Sequence, residues 1–231
     1  MSTNPISITS FTGHDPISLL RQATEKSERV VFSTSFGKED QAITYLLQNE
    51  KLPISIFTLD TGRLFEQTYE VYNRTLHKYQ ISIKAYTPNQ QSLDELVTKK
   101  GPLSFYESVE NRKECCAIRK LEPLRRALAD AEIWITGLRK EQSANREQMT
   151  QVEWDEANQV IKIHPLFNWT LEELDQFIIQ HKIPINALHS KGYPSIGCQP
   201  CTRAVQPGED ERAGRWWWED SKKECGLHQT K

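Results

Sequence analysis

Residues Arg29-Val-Val-Phe-Ser-Thr-Ser35 run directly into Phe36-Gly-Lys-Glu-Asp40 and then into the helical stretch Gln41-Ala-Ile-Thr-Tyr-Leu-Leu-Gln-Asn-Glu50. A short β-branched run that ends in small polar residues and gives way at once to a helix opens a βαβ unit. The pattern returns. Ile54-Ser-Ile-Phe-Thr-Leu-Asp60 ends in Thr61-Gly-Arg63 and leads into a helical stretch from Leu64 to Gln80. Ile81-Ser-Ile-Lys-Ala-Tyr-Thr87 is a third such run, and Ile133-Trp-Ile-Thr136, ending at Gly137-Leu-Arg139, is a fourth. Buried strands alternating with amphipathic helices predict an α/β fold, a mainly parallel central sheet with helices on both faces.

The flanking segments fit the same plan. Asp15-Pro16 reads as an N-cap with proline in the first turn, starting a helix. Val152 to Ile163 reads as a small hairpin turning at Asn158, and Thr170 with Glu173 forms a capping box ahead of an apolar run. The expected organisation is an N-terminal helical segment (1–28), an α/β nucleotide-binding domain (29–191) that includes a Cys-Cys helix, and a C-terminal tail (192–231) belonging to the same domain. A chain of 231 residues is long enough for such a core. Its 29 Lys and Arg against 31 Asp and Glu, net −2, argue against a general nucleic-acid or membrane-surface binder. No apolar run approaches the span of a bilayer, and Met1 to Pro16 shows no basic-then-apolar leader, so a cytoplasmic protein is expected.

In parallel sheets ligands bind beyond the carboxyl ends of the strands. Three polar loops fall there: Ser33–Asp40, Asp60–Arg63 and Gly137–Arg146. Their small residues and helix starts suit a phosphate or nucleotide. Any one of Gly37, Gly62 and Gly137 alone reads as an ordinary turn glycine. Three at equivalent strand ends tilt the reading toward a nucleotide pocket. No two glycines stand in G-x-G spacing and no Walker A loop is present, so the usual dinucleotide and triphosphate fingerprints are excluded.

Five cysteines complete the chemistry: the adjacent Cys115 and Cys116, the C-x-x-C pair Cys198 and Cys201, and a lone Cys225. In a reducing compartment, two pairs plus one point to a metal site and a separate reactive thiol rather than to disulfides. Structural zinc and an iron–sulfur cluster both take such ligands. Adjacent cysteines on one tetrahedral zinc close a strained ring, whereas on a four-iron cluster each can take its own iron.

The motifs Ser33-Thr-Ser-Phe-Gly-Lys-Glu-Asp40, Leu59-Asp-Thr-Gly-Arg63, Glu114-Cys-Cys-Ala-Ile-Arg-Lys120, Trp134-Ile-Thr-Gly-Leu-Arg139 with Gln142, Ser143 and Arg146, Tyr193-Pro-Ser-Ile-Gly-Cys-Gln-Pro-Cys-Thr-Arg203, Arg212-Ala-Gly-Arg-Trp-Trp-Trp-Glu219 and Glu224-Cys-Gly-Leu-His228 occur in this order. Together they resemble the assimilatory adenylyl-sulfate (APS) reductases of the iron–sulfur type, within the phosphoadenylyl-sulfate (PAPS) reductase family. The resemblance implies an adenine-nucleotide α-hydrolase-like fold related to the ATP-pyrophosphatases. The first loop departs from the SGGxDS of those enzymes, which implies adenylate binding without ATP cleavage.

The resemblance further implies a [4Fe-4S] cluster on Cys115, Cys116, Cys198 and Cys201. Cys225 becomes the nucleophile that takes the sulfonate from APS, expelling AMP. A thiol donor, thioredoxin or glutathione, then releases sulfite for sulfate assimilation and cysteine biosynthesis. Lys120, Arg212, Arg215 and His228 match phosphosulfate contacts. Ser33, Ser35, Phe36, Gly37, Asp60, Thr61, Gly62, Arg63, Gly137, Arg139, Gln142 and Arg146 match the substrate-binding loops. PAPS as substrate or co-substrate is the nearest alternative; a zinc-bearing RNA-modifying enzyme and a non-catalytic binding module stand further off. Neither nucleic acid nor membrane is expected as a partner, and a homo-oligomer is compatible with the sequence. Trp216-Trp217-Trp218 reads equally as a stacking surface or as packing, His164 as part of a strand exit, and Glu219 as the start of a solvated linker.

Overall fold

The computed structural model describes residues 6–142 and 149–219. The chain runs α1 (Pro16–Lys26), β1 (Val30–Ser33), α2 (Lys38–Asn49), β2 (Ser55–Leu59), α3 (Glu66–Tyr79), β3 (Lys84–Tyr86), α4 (Gln90–Lys100), α5 (Val109–Cys116), α6 (Glu122–Leu128), β4 (Ile133–Ile135), β5 (Val152–Asp155), β6 (Val160–Ile163) and α7 (Leu171–Gln180). The strands order as β3-β2-β1-β4-β6-β5. β1 pairs in parallel with β2 and β4, and β4 in parallel with β6, while β5 runs antiparallel to β6. The mostly parallel α/β sheet expected from the alternation is therefore present. The hairpin forms as read, but its second strand also joins the sheet beside β4. No helix among the described residues is long and apolar enough to cross a membrane.

The local signals act as chemistry requires. Asp15 stays extended and accepts the Ser18 N–H, with Pro16 beginning α1. Thr170 and Glu173 close a reciprocal capping box on α7. β1 stops at Ser33 because the chain turns sharply: Phe36 sits in the left-handed region at φ 62°. Between α5 and α6 the helix widens into a π turn, Ala117–Leu121.

The chain divides into two compact units. The first takes the chain up to Phe57 together with Leu128–Pro184; the second takes Thr58–Ala127 and continues from Ile185. In the first, Phe32, Ile43, Leu47, Ile133, Ile135 and Ile163 are fully buried. Each such side chain contributes roughly 1.5–3 kcal/mol relative to exposure. Lys162 is buried with them under the Trp134 ring, 5.0 Å from its centroid, and its ammonium pairs with Asp155 at 3.1 Å. His164 leaves β6 as a strand exit, its Nδ1 2.6 Å from Thr136 Oγ1. Its Nε2 lies 3.4 Å from Glu153 Oε1, an acidic neighbour across the hairpin that linear spacing hides. In the second unit the core is Leu96, Phe105, Trp216 and four cysteines. That composition makes the second core unlike the first.

Candidate functional site

In the first unit, the loops after β1, β4 and β6 leave the same edge of the sheet because those strands are parallel. They are held by a small set of polar contacts. The Asp40 carboxylate, at the start of α2, turns back and accepts the Ser35 N–H at 2.6 Å and the Ser35 hydroxyl at 2.8 Å. Burial pushes its carboxyl up to about 6, against the pull of the Ser35 and Gly37 donors and with help from neighbouring Glu39. Gly137 is required here: a Cβ would lie 2.2 Å from Asp40 Oδ1 and 3.2 Å from the Asp40 backbone nitrogen. Arg139, buried, donates from Nε to Glu39 Oε1 at 2.8 Å, and its own N–H donates to Gln142 Oε1 at 3.1 Å. Trp134 Nε1 donates to Ser33 Oγ at 2.8 Å. Phe36 sends its ring into the core, leaving only its backbone to face a ligand. Ser33, Ser35, Gly37, Gly137, Arg139 and Gln142 thus belong to one tied loop system, while Arg146 lies outside the described residues.

The second unit holds the four thiols. Cys115 and Cys116 end α5, and Cys198 precedes and Cys201 ends a single 3₁₀ turn, Gln199–Cys201. All four are buried and free of disulfides. They face one opening, lined also by Arg63, Phe105, Arg112, Arg119 and Lys120. Lys120, four residues after Cys116, lines the opening across the π turn. The Asp60–Arg63 loop is turned to the same place. Thr61 Oγ1 lies 3.3 Å from Cys198 Sγ, and the Gln199 N–H donates to the Arg63 carbonyl at 2.8 Å. The Arg63 guanidinium lies 4.7 Å from the Phe105 ring centroid. Gly62 is left-handed at φ 67°, and its N–H donates to Asp60 Oδ1 at 2.9 Å.

The electrostatics of the thiols differ from one to the next. Burial pushes the Cys201 thiol up to about 12, with Cys198 adding to it. Burial also raises Cys115, against the pull of Arg119 and Arg63. At Cys198 burial is overcome, and Lys120, the Thr61 hydroxyl, Arg215 and Arg119 together bring the thiol below its ordinary value. Each adjacent cysteine has an arginine one helical turn away, Arg119 after Cys115 and Arg112 before Cys116, and both arginines line the same opening as the thiols. Among the described residues no group of three or more Cys, His, Asp or Glu side chains is placed to hold a metal ion. The donor set itself, four thiols around one opening with the Thr61 hydroxyl beside Cys198, is of the kind that iron–sulfur groups take.

The segment after Cys201 closes over this centre. Thr202 bridges Arg215, and the Trp216 N–H donates to the Cys201 carbonyl at 3.2 Å. Trp216 is buried between two guanidiniums, Arg112 at 4.7 Å and Arg215 at 4.8 Å from its ring centroid. Trp218 packs beside Tyr106 and Phe105 while Trp217 is exposed, so the tryptophan run is largely packing. Arg215 is buried and Arg212 half-buried. Glu219 corrects an expectation: it is no linker residue but is buried and doubly bonded to Arg112. Cys225 and His228 lie outside the described residues. Sequence reasoning missed Arg112, Arg119 and Phe105 as neighbours of the thiols. Counting four residues either way from Cys115 and Cys116 would have found both arginines.

Fold and site together define an α/β protein of mostly parallel sheet that carries a buried four-thiol centre. Residues 29–204 match the phosphoadenosine phosphosulfate reductase domain, and the chain belongs to that family. It is 50% identical over 213 residues to an adenosine 5′-phosphosulfate reductase of Allochromatium vinosum, covering 92% of this chain and 83% of that one. It is 50% identical over 201 residues to the protein of the same name from Agrobacterium fabrum, covering 87% and 77% of the two chains. Among solved structures, a phosphoadenylyl-sulfate reductase of Candida auris in a phosphate complex superposes with a TM-score of 0.72 at 27% identity, covering 86% of this chain and 94% of that one. An FMN adenylyltransferase of Candida glabrata in complex with ATP shares the fold at TM-score 0.51 and 16% identity, covering 86% and 65%.

Proposed function

We propose that the chain reduces adenosine 5′-phosphosulfate to sulfite and AMP through an S-sulfonate on Cys225, with a thiol as electron donor. The observation that carries this reading is the buried four-thiol centre faced by Arg63, Arg119 and Lys120, in a chain half-identical to reductases of that substrate. The Cys225 thiolate attacks the sulfate sulfur, the bond to the phosphate oxygen breaks, and AMP leaves with the bonding pair. A donor thiolate then attacks Cys225 Sγ, and sulfite departs with the electrons of the S–S bond. A second donor thiol resolves the mixed disulfide, so thioredoxin or glutathione supplies both electrons. The setting is a reducing compartment, the cytoplasm, as part of sulfate assimilation.

A thiolate nearing an anionic phosphosulfate is repelled by about 4 kcal/mol at 4 Å in an effective dielectric near 20. Lys120, Arg212, Arg215 and His228 are assigned to offset this and to stabilise the leaving phosphate. The loop system of Ser33, Ser35, Gly37, Gly137, Arg139 and Gln142 is assigned to the adenylate, with Arg146. Cys115, Cys116, Cys198 and Cys201 would hold a [4Fe-4S] cluster, which when bound supplies fixed, deprotonated sulfurs in the buried core of the second unit.

The test is anaerobic mass spectrometry after incubation with adenosine 5′-phosphosulfate or its 3′-phosphorylated form, without any thiol. A sulfonate adduct on Cys225 that thioredoxin or glutathione discharges is expected, forming faster from the substrate without the 3′-phosphate. No adduct from either, on protein that retains its iron, refutes the proposal.

A further inference from the structure

Arg112 is the most deeply buried cation among the described residues of the second unit, 1% exposed, and nothing in the reaction as proposed uses it. It lies on α5 four residues before Cys116, one turn back on the same face. Its fork is engaged on one side, and its other side meets the thiols. Nε and one terminal nitrogen donate to the two oxygens of Glu219 at 3.0 and 2.9 Å, and the residue lines the same opening as Cys116. Glu219 is itself 3% exposed at its side chain, and it belongs to the strap that begins where Arg215 bridges Thr202. Burying a full ion pair is costly unless the geometry is good. A well-packed apolar pair could anchor the strap as well as a buried ion pair does, so anchoring alone does not explain why a charge stands at the thiol-lined opening.

We propose that Arg112 is a positioning residue for the cluster. It holds the Cys116 sulfur by a charged hydrogen bond, while Glu219 fixes its orientation and damps its charge. The inference rests on the iron–sulfur assignment of the four cysteines. A hydrogen bond and a positive charge draw electron density from a thiolate and weaken its bond to iron; a carboxylate behind the guanidinium moderates that pull. The two partners therefore act on the sulfur with opposite signs. The adjacent cysteines become unequal: Cys116 faces an arginine neutralised by a carboxylate, whereas Cys115 faces Arg119, whose nearest oxygen partner is the Thr61 carbonyl at 2.6 Å.

The experiment is resonance Raman spectroscopy of the full-length holoprotein, with iron and sulfide counted in every sample. In Arg112→Met one iron–thiolate stretching band should move to higher frequency. In Glu219→Gln, which is isosteric and leaves the guanidinium undamped, a band should move to lower frequency. The amides of Trp216 and Glu219, bonded to the Cys201 and Trp216 carbonyls, should also exchange faster in Glu219→Gln. A merely structural ion pair moves neither band, or moves both the same way. If Arg112→Met does not assemble, Glu219→Gln decides by its sign. Spectra that coincide with wild type at unchanged iron content overturn the inference and leave the cluster standing. Wild-type protein without iron or sulfide overturns the cluster assignment and the inference with it.

Discussion

Replacing Asp40 by asparagine should remove a pH-dependent loss of stability that the wild-type fold carries. The carboxyl is buried at the start of α2, and burial pushes it up to about 6 from an ordinary 3.8. A raised carboxyl pKa means that the folded state holds this proton more tightly than the unfolded state does. Its contribution is fully favourable below about pH 3.8 and is lost as pH rises through about 6. At 1.36 kcal/mol per pH unit, the difference between 3.8 and 6 amounts to about 3 kcal/mol above pH 7. Asparagine cannot ionise, and its carbonyl oxygen can still accept the two Ser35 bonds. Denaturant unfolding of wild type and Asp40→Asn at a series of pH values reads the slope directly. The variant should gain about 2.4 kcal/mol relative to wild type between pH 4 and 7, whatever constant offset the substitution adds. Carboxyl carbon NMR of Asp40 should titrate near pH 6 in the folded protein. Parallel pH profiles for the two proteins, or an Asp40 resonance titrating near 4, would falsify the claim that burial outweighs the Ser35 donors.

The same loop system should be intolerant of Gly137→Ala. Its Cβ would meet Asp40 Oδ1 at 2.2 Å, close to backbone, so a loss of about 1–3 kcal/mol in thermal unfolding and weaker AMP binding by calorimetry are expected. Glu39→Gln removes the carboxylate that Arg139 Nε bonds at 2.8 Å, while exposed Glu141 stands 3.6 Å from the same buried guanidinium. Its cost should be about 3 kcal/mol, and a stability within error of wild type would refute the ion pair's importance. Gly197→Ala is different, because its Cβ would meet the far end of Arg215, 2.2 Å from a terminal nitrogen, which can swing away. Iron content and melting temperature should hold while KM for adenosine 5′-phosphosulfate rises; an unchanged KM removes Arg215 from substrate binding.

The fold was legible where one residue type had one physical use. The β-branched run before Ser33, the Asp15-Pro16 start and the Thr170–Glu173 box each appear in the structure as read. Linear spacing could not show what packing alone decides. The hairpin's second strand, Val160–Ile163, alternates too little to reveal that its other edge pairs with β4. Glu219 reads as one of several charges near the chain's end, and only the fold places it against Arg112. The Asp60–Arg63 loop teaches the same lesson. Its glycine and its place after a strand fit a nucleotide loop, yet Thr61 and Arg63 are turned toward the thiols of their own unit. One short segment thus carries two demands: a left-handed glycine to make the turn, and a hydroxyl and a guanidinium to meet sulfur. The second demand explains why Thr61 and Arg63 flank Gly62. A turn alone needs neither side chain, whereas a buried thiolate needs both a donor and a positive charge.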